Sequence, residues 1–520
     1  MVKCEEMKQT ISQYKVDEQL LIPEDELMAE MESKMEAAQW EEITGESPTG
    51  YLAEQEENKE VYNYMMGETE EDEDMIGEVE ELLREYQDIV SKGDHDIGNC
   101  NIVEHAIRLT DDIPTTCRLR PRSPKENEWI EAQIEEMLKN GVIEKSKSPY
   151  TANVVVVGKK DGDGEGMDRL CVNFGPLNKK TIPDRYPLPI IKEIIRLFEG
   201  CEYYTAIDLK AAYWQVPVRP QDREKTAFRT NSGHYQFKVM PFGLNNAPAT
   251  FQRLMNEILR DYLGKFVIVY LDDIVIFSKD KKSHKRHVRK VLNKIREAKL
   301  KIKLLKCQWF KREIKFVGHK ISKEGIQPDD DNVKKIRECQ PPKDVKGVRR
   351  FLGMAQYYRT FIKGFADIAR PLYDLTRKDE EFEWTDAQQK AFEIIKEKLT
   401  EEPILAHPNW EKTFKLYTDA SDTGLGAVLT QDDDNGKERV IAYEARTLNA
   451  NEKNYPTTEK ECLAVVWAVE KFRHYLGGWK KFKIFTDHAV LKTLMNHENP
   501  MGRRYRWMEK LTEYNFDIEY

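Results

Sequence analysis

The stretch Phe266–Phe277, FVIVYLDDIVIF, decides how the chain is to be read. Two apolar, β-branched runs, Phe266 to Tyr270 and Ile274 to Phe277, are separated by Leu271, Asp272 and Asp273, a spacing that predicts a tight β-hairpin. Two carboxylates then sit at a turn between apolar strands. Adjacent acids in such a setting repel each other and lose hydration, so they call for a counterion. A divalent cation with oxygen ligands, keeping water and substrate phosphates in its shell, meets that need and suits phosphoryl transfer. An Asp-Asp pair is also an ordinary solvated turn, because Asp favours turns; the flanking strands favour the chemical reading.

Working outward, Tyr203 to Ile207 is a second strand-like run that ends at Asp208, which a sheet could bring beside the hairpin as a third carboxylate. Trp129, Ile130, Ile134, Met137 and Leu138 recur at helical spacing and Asn140-Gly141 supplies a stop, predicting an amphipathic helix. Asn153 to Val157 and Leu170 to Val172 read as a hairpin with a basic, glycine-rich tip through Lys159, Lys160 and Gly166. Past the acidic turn, His287 to Leu300 has helical period and carries Arg289, Lys290, Lys294, Arg296 and Lys299, which fits a surface that grips phosphates. A compositional change near Pro403 to Pro408 precedes Thr413 to Tyr417 and the helix-like Glu459 to Tyr475, where a second α/β domain starts.

Charge is unevenly spread over the 520 residues. Residues 1–81 hold 26 acids against 5 lysines, including the block Glu68 to Asp74 (ETEEDED), and read as a disordered or marginally helical segment. Residues 82–520 carry 77 Lys and Arg against 66 acids, a net of +11 hidden by the overall −10, so a polyanion is a plausible partner. No apolar run reaches the roughly 18 residues of a membrane span, and no membrane partner is expected. The eight cysteines form no CxxC pair, which argues against zinc knuckles or a disulfide scaffold.

Six ordered motifs carry a family resemblance: Ser148-Pro149-Tyr150, Val154 to Gly162, Thr205 to Val218 (TAIDLKAAYWQVPV), Lys225 to Phe228 (KTAF), Met240 to Leu244 (MPFGL) and Tyr270 to Asp273 (YLDD). Over about Leu82 to Tyr520 the chain resembles the reverse transcriptases of Ty3/gypsy-type long-terminal-repeat retrotransposons. The resemblance implies an α+β multidomain chain, a right-hand polymerase with fingers, palm and thumb followed by a ribonuclease H-like α/β domain. It also implies Asp208, Asp272 and Asp273 as the polymerase triad, holding two Mg2+ (or Mn2+) ions. Tyr213 falls where the family places its gate against a 2′-hydroxyl. Lys159, Lys160, Arg169 and Phe242 fall at the nucleotide, and Phe316, Val317, Gly318 and His319 at the primer grip. The implied partners are an RNA or DNA template, a primer strand and dNTPs, within a longer polyprotein that includes protease and integrase.

In the last segment, Thr418-Asp419-Ala420-Ser421, Glu461 and Asp487 resemble the opening carboxylates of a retroelement ribonuclease H, again implying two metal ions. Asp422-Thr423-Gly424 matches an aspartic protease signature, but it lies within the ribonuclease motif and has no second half. The family's fourth carboxylate has no counterpart before Tyr520, so a truncated domain with weak or absent nuclease activity is expected. Where the family shows an acid and an arginine, this chain has Asn173 and Gly175 in VNFG, and the turn Asp161 to Asp168 is long and acidic. These departures keep open a catalytically impaired, nucleic-acid-binding alternative. The expected layout is an acidic segment over 1–81, fingers and palm over 82–321, thumb and connection over 322–410, and a ribonuclease H-like domain over 411–520.

Overall fold

The computed structural model describes residues 73–519, apart from 94–95, 119–120, 159–166, 379, 402, 479 and 487–502. The chain divides into two compact units, the first ending at Ile314 and the second running on from Lys315.

In the first unit, helix α1 (Glu73–Glu85) begins ahead of Leu82, the point at which the sequence places the start of order. Its Val79, Leu82, Leu83 and the following Tyr86 are all buried. That i, i+3, i+4, i+7 stripe is short and lies behind the ETEEDED block, so charge dominates the reading of the segment while the apolar stripe folds it. Helix α2 (Pro124–Lys139) starts on a Ser123 cap that accepts the Glu126 amide, has Pro124 at its first position, and stops at Asn140. Gly141 then takes φ +69°, the left-handed conformation that ends helices most easily with glycine.

Strands β1 (Ile143–Lys145), β2 (Ala152–Gly158) and β3 (Met167–Asn173) follow, then helix α3 (Gly175–Lys180). Next come β4 (Tyr203–Ile207), β5 (Phe228–Arg229), β6 (His234–Phe237) and helix α4 (Ala247–Ile258). The unit closes with β7 (Val267–Tyr270), β8 (Asp273–Ser278), helix α5 (Lys281–Glu297) and β9 (Gln308–Lys311). Two sheets result, ordered β1-β6-β5-β2-β3 and β7-β8-β4-β9. The hairpin strands of the second are nearly all buried, all four residues of β7 and all but Asp273 in β8, as expected of strands covered by the helices α4 and α5.

Part of the basic face of α5 meets acids of α1 and of the turn that follows it. Lys285 pairs with Glu81 at 3.1 Å, Arg289 with Glu81 and Glu85 at 3.5 and 3.2 Å, and Arg296 with Asp88 at 2.5 Å. The Arg296 guanidinium also lies over the Tyr86 ring, 4.3 Å from its centroid. Helical period shows where these cations lie, but their partners are some 200 residues upstream, at Glu81, Glu85 and Asp88.

The second unit opens with β10 (Glu313–Phe316), which carries the chain into it, β11 (His319–Ser322) and β12 (Gly325–Pro328), a three-stranded antiparallel sheet. Four helices follow, α6 (Asp330–Glu338), α7 (Val345–Tyr357), α8 (Phe365–Asp374) and α9 (Asp386–Thr400). Then come β13 (Lys415–Ala420), β14 (Gly424–Asp432), β15 (Glu438–Thr447), α10 (Thr457–Lys471), β16 (Phe482–Phe485), α11 (Arg503–Leu511) and β17 (Phe516–Glu519). The strands order as β15-β14-β13-β16-β17, antiparallel from β13 through β15 and parallel from β13 through β17. Val465, Val466 and Val469 of α10 pack with Leu416, Leu429 and Ile484 of the sheet in one buried cluster. No helix among the described residues is long and apolar enough to cross a membrane.

Candidate active site

The hairpin of β7 and β8 is tight: Tyr270 pairs with Asp273, leaving Leu271 and Asp272 as the turn. β8 pairs on its other side with β4, Ile207 facing Ile274. Asp208 follows directly on β4, so this register brings the end of β4 that precedes it to the end of β8 that opens on Asp273. Three separate acids of the sequence thus come to one end of one sheet. Asp208 and Asp272 are half-buried and Asp273 is exposed.

Burial raises the Asp208 carboxyl above its ordinary range, against the opposing pull of Lys306, Lys303 and Lys210. A desolvated carboxylate is costly to keep charged unless a cation stands against it. Its backbone is pinned as well, its carbonyl accepting the Lys303 amide at 2.9 Å. Among the described residues no group of three or more His, Cys, Asp or Glu side chains is placed to hold a metal ion. The aspartate positions therefore converge without a ready all-protein cage. This donor set fits Mg2+, which is held by one or two carboxylates plus substrate phosphates.

Tyr213 lies in a short 3-10 turn (Ala212–Gln215) whose cap, Ala211, is held at the left-handed φ of +44°. Its ring centroid is 5.3 Å from that of Phe242 and 5.6 Å from that of Phe251. The structure therefore brings these two sequence-selected aromatics together, with Phe242 48% exposed. The Phe242 loop is fixed by Asn178 of α3, which donates to the Gly243 carbonyl at 2.8 Å and accepts the Asn245 amide at 3.0 Å. Arg169 lies in β3 opposite Val157; Lys159 and Lys160 lie outside the described residues.

In the second unit, Val317 and Gly318 join β10 to β11 with φ values of +43° and +67°, and Phe316 and His319 on either side are buried. Burial lowers the His319 imidazole to about 4. Farther along, Asp419 is exposed near the end of β13 and Glu461 is buried in the first turns of α10. Asp487 lies two residues past the end of β16, outside the described residues. Asp422 pairs with Lys460 at 2.8 Å, which holds its carboxyl below the usual range. Within the protease-like triplet, that acid is engaged by a lysine of the neighbouring helix.

Residues 157–321 match the family model described as reverse transcriptase (RNA-dependent DNA polymerase), and residues 409–514 that of the RNase H-like domain found in reverse transcriptase. The retrovirus-related Pol polyprotein from transposon 297 of Drosophila melanogaster is 41% identical over 441 residues, 84% of this chain and 41% of that protein. The corresponding polyprotein from transposon gypsy of the same organism is 38% identical over 432 residues, 80% of this chain and 41% of that protein. The chain belongs to the Pol family of Ty3/gypsy-type retrotransposons. It spans about two fifths of the length of these curated relatives. A solved foamy viral protease-reverse transcriptase in complex with double-stranded DNA shares the fold, with a TM-score of 0.79 at 22% identity over 91% of this chain and 81% of that one.

Within the reverse transcriptase domain, a residue that sequence reasoning passed over supports the YLDD turn. Gln252 of α4 is fully buried; its Oε1 accepts the Leu271 amide at 2.8 Å and its Nε2 donates to the Val269 carbonyl at 3.1 Å. Its signal was a polar residue set between Phe251 and Met255 on the buried face of a helix. Gln215 does similar work for the chain after Asp208, donating to the Lys210 and Lys301 carbonyls at 2.7 and 2.9 Å and accepting the Lys301 amide at 2.8 Å. At the departure from the family pattern, the Asn173 side chain accepts the Gly175 amide at 2.9 Å where α3 begins. A local turn thus stands where the family has an acid and an arginine.

Proposed function

We propose that the chain is an RNA-directed DNA polymerase that adds dNTPs to a primer 3′-hydroxyl, with an attached ribonuclease H-like domain whose nuclease activity is weak or absent. The observation that carries this reading is the β4–β8–β7 register, in which Ile207, just before Asp208, faces Ile274, just after Asp273, and Asp273 pairs with Tyr270 across the turn that holds Asp272. The matches to reverse transcriptase and RNase H-like models support it, and domains of both kinds depend on divalent metals. Two Mg2+ or Mn2+ ions held by Asp208 and Asp272, with Asp273 adjacent, would activate the primer hydroxyl and neutralise the triphosphate and its leaving pyrophosphate.

The protein's own side chains do the rest by position. Tyr213, packed on Phe242 and Phe251, underlies the sugar and excludes a 2′-hydroxyl, selecting deoxynucleotides. Lys159, Lys160 and Arg169 of the β2–β3 hairpin contact the incoming triphosphate, Arg169 through its planar fork. The Phe316–His319 turn steadies the primer end, and Gly318 permits close backbone approach. Asp419, Glu461 and Asp487 are the carboxylates of an incomplete nuclease site. In this reading the fingers and palm run over 82–321, the thumb and connection over 322–410, and the ribonuclease H-like domain from 411. The duplex is held by its backbone rather than its sequence, and the template is RNA or DNA.

The test is incorporation of labelled dTTP on poly(rA)/oligo(dT) with Mg2+ or Mn2+, comparing the chain with Asp272→Asn. Incorporation that disappears in the variant is expected. A folded chain that binds the hybrid and incorporates nothing would favour the nucleic-acid-binding reading. Weak or no cleavage of an RNA–DNA hybrid is expected of this chain, and robust cleavage lost in Asp419→Asn would overturn that expectation.

A further inference from the structure

The turn between β10 and β11 is an unusual piece of backbone. Two consecutive residues, Val317 and Gly318, are left-handed, at φ +43° and +67°. That pairing belongs to hairpin turns normally built from Asn and Gly. Valine, branched at Cβ, is an outlier there, and such residues persist only where their surroundings over-determine them.

The surroundings are two consecutive tyrosines. Tyr357, the last residue of α7, donates its hydroxyl to the Val317 carbonyl at 2.5 Å. Tyr358 donates to the Gly318 carbonyl at 2.7 Å and accepts from Asn332 Nδ2 at 3.1 Å. A Cβ on Gly318 would come within 3.2 Å of the Tyr358 hydroxyl and 3.3 Å of the Tyr357 ring, so the glycine is needed for the tyrosines to approach as much as for its φ. Each carbonyl has a second neighbour: His319 Nδ1 lies 2.8 Å from Val317 O, and the Asp329 amide donates to Gly318 O at 3.1 Å.

We propose that Tyr357 and Tyr358 are positioning residues of the polymerase reaction: their hydroxyls clamp the Val317-Gly318 turn to helix α7 and so set where the primer 3′ end is held. This rests on the reading of Phe316–His319 as the primer-contacting turn. Neither hydroxyl touches the reacting atoms; each acts through a backbone carbonyl of the turn. The geometry of the grip is then dictated by α7, so a shift of that helix is passed to the primer terminus.

The experiment uses Tyr357→Phe, Tyr358→Phe and the double variant in the full chain. Phenylalanine keeps the ring packing, and each carbonyl keeps its second neighbour, so the variants are expected to fold with unfolding temperatures near wild type. Three readouts are taken: kcat for correct extension, the Kd for primer–template, and photo-crosslinking from a 4-thiothymidine at the primer 3′ end, mapped by mass spectrometry. In the single variants we expect kcat to fall about tenfold, the size of one net hydrogen bond, and more in the double variant. The Kd should change less than twofold, and the crosslink to the 316–319 peptide should weaken in step with kcat. Unchanged kcat and unchanged crosslink yield in the double variant would overturn the clamp, as would a kcat loss matched by the lost folded fraction. A wild-type crosslink that maps elsewhere would instead overturn the primer-grip reading and the clamp's role with it. Wild-type protein that incorporates nothing while Asp272→Asn behaves identically would overturn the polymerase reading itself.

Discussion

Gln252 and Leu271 are joined by a 2.8 Å hydrogen bond from the Leu271 amide to the Gln252 carboxamide oxygen, and that bond lies directly behind the acidic turn. Leu271 has φ +51°, a conformation that costs a residue with a side chain about 1–2 kcal/mol. Gln252 offsets it by closing a small ring with both sides of the turn, through Leu271 N–H and Val269 C=O. Replacing Gln252 by leucine keeps the bulk but leaves both groups without this partner, at about 1–3 kcal/mol each. The expected result for Gln252→Leu is a drop in dTTP incorporation of about tenfold or more, with primer–template affinity little changed. Activity equal to wild type would show that the turn holds its shape without the carboxamide.

The Asp208 carboxyl is raised above its unfolded value, chiefly by burial. Its sign is the reverse of the usual carboxylate. A group raised in the folded state contributes stability below its unfolded pKa and loses it as pH rises through the folded pKa, so at neutral pH the charged Asp208 is a burden on the fold. Asp208→Asn should therefore raise the unfolding temperature at pH 7 by about 2 °C or more while abolishing incorporation. Added Mg2+ should narrow the gap by stabilising wild type alone. A variant no more stable than wild type at pH 7 and without metal would contradict the electrostatic account.

Buried histidines set the opposite pH dependence. Burial lowers His284 to about 3, and His105 and His319 to about 4. His284 is held between Thr205 Oγ1 at 2.8 Å and Ser278 Oγ at 2.9 Å, under the same sheet that carries Asp208. Because the unfolded imidazole takes up a proton near pH 6.5 and the folded one does not, stability is full above that value. It falls as pH drops toward the folded pKa. Each such histidine costs about 2 kcal/mol by pH 5. Urea midpoints at pH 7.5 and pH 5 should differ accordingly, and His284→Gln should reduce the difference. Equal midpoints at the two pH values would refute it.

Local signals account for most of what could be read in advance. Tyr203 to Ile207 and the FVIVYLDDIVIF hairpin are continuous apolar runs with a polar stop, and period and composition fix such strands at short range. That the strand leading into Asp208 pairs with the strand opening on Asp273 is not local, because it depends on β4 inserting between β8 and β9. It was legible only through resemblance to a family whose sheet is known. Gln252, Gln215 and the tyrosine pair escaped because their partners are backbone groups, which leave no mark in composition. The ion pairs of Arg289 and Arg296 were not legible either, because charge counted along a helix does not reveal acids returning from 200 residues away.

Lys285, Arg289 and Arg296 are engaged by Glu81, Glu85 and Asp88, while Val79, Leu82, Leu83 and Tyr86 anchor the acidic helix in the core. Cations already neutralised in this way release no counterions when a duplex binds, so they add nothing to the salt dependence of binding. Alanine at Lys285 and Arg289 together should leave the affinity for an RNA–DNA hybrid within about twofold and the slope of log K against log salt unchanged, whereas each true phosphate contact removed lowers that slope by about 0.9. Charge reversal of Glu81 and Glu85 to lysine should instead destabilise the α1–α5 contact, and more so at low salt, where like charges are least screened. A flatter salt slope in the Lys285/Arg289 double variant would show that α5 reaches the duplex after all, with α1 displaced when substrate binds.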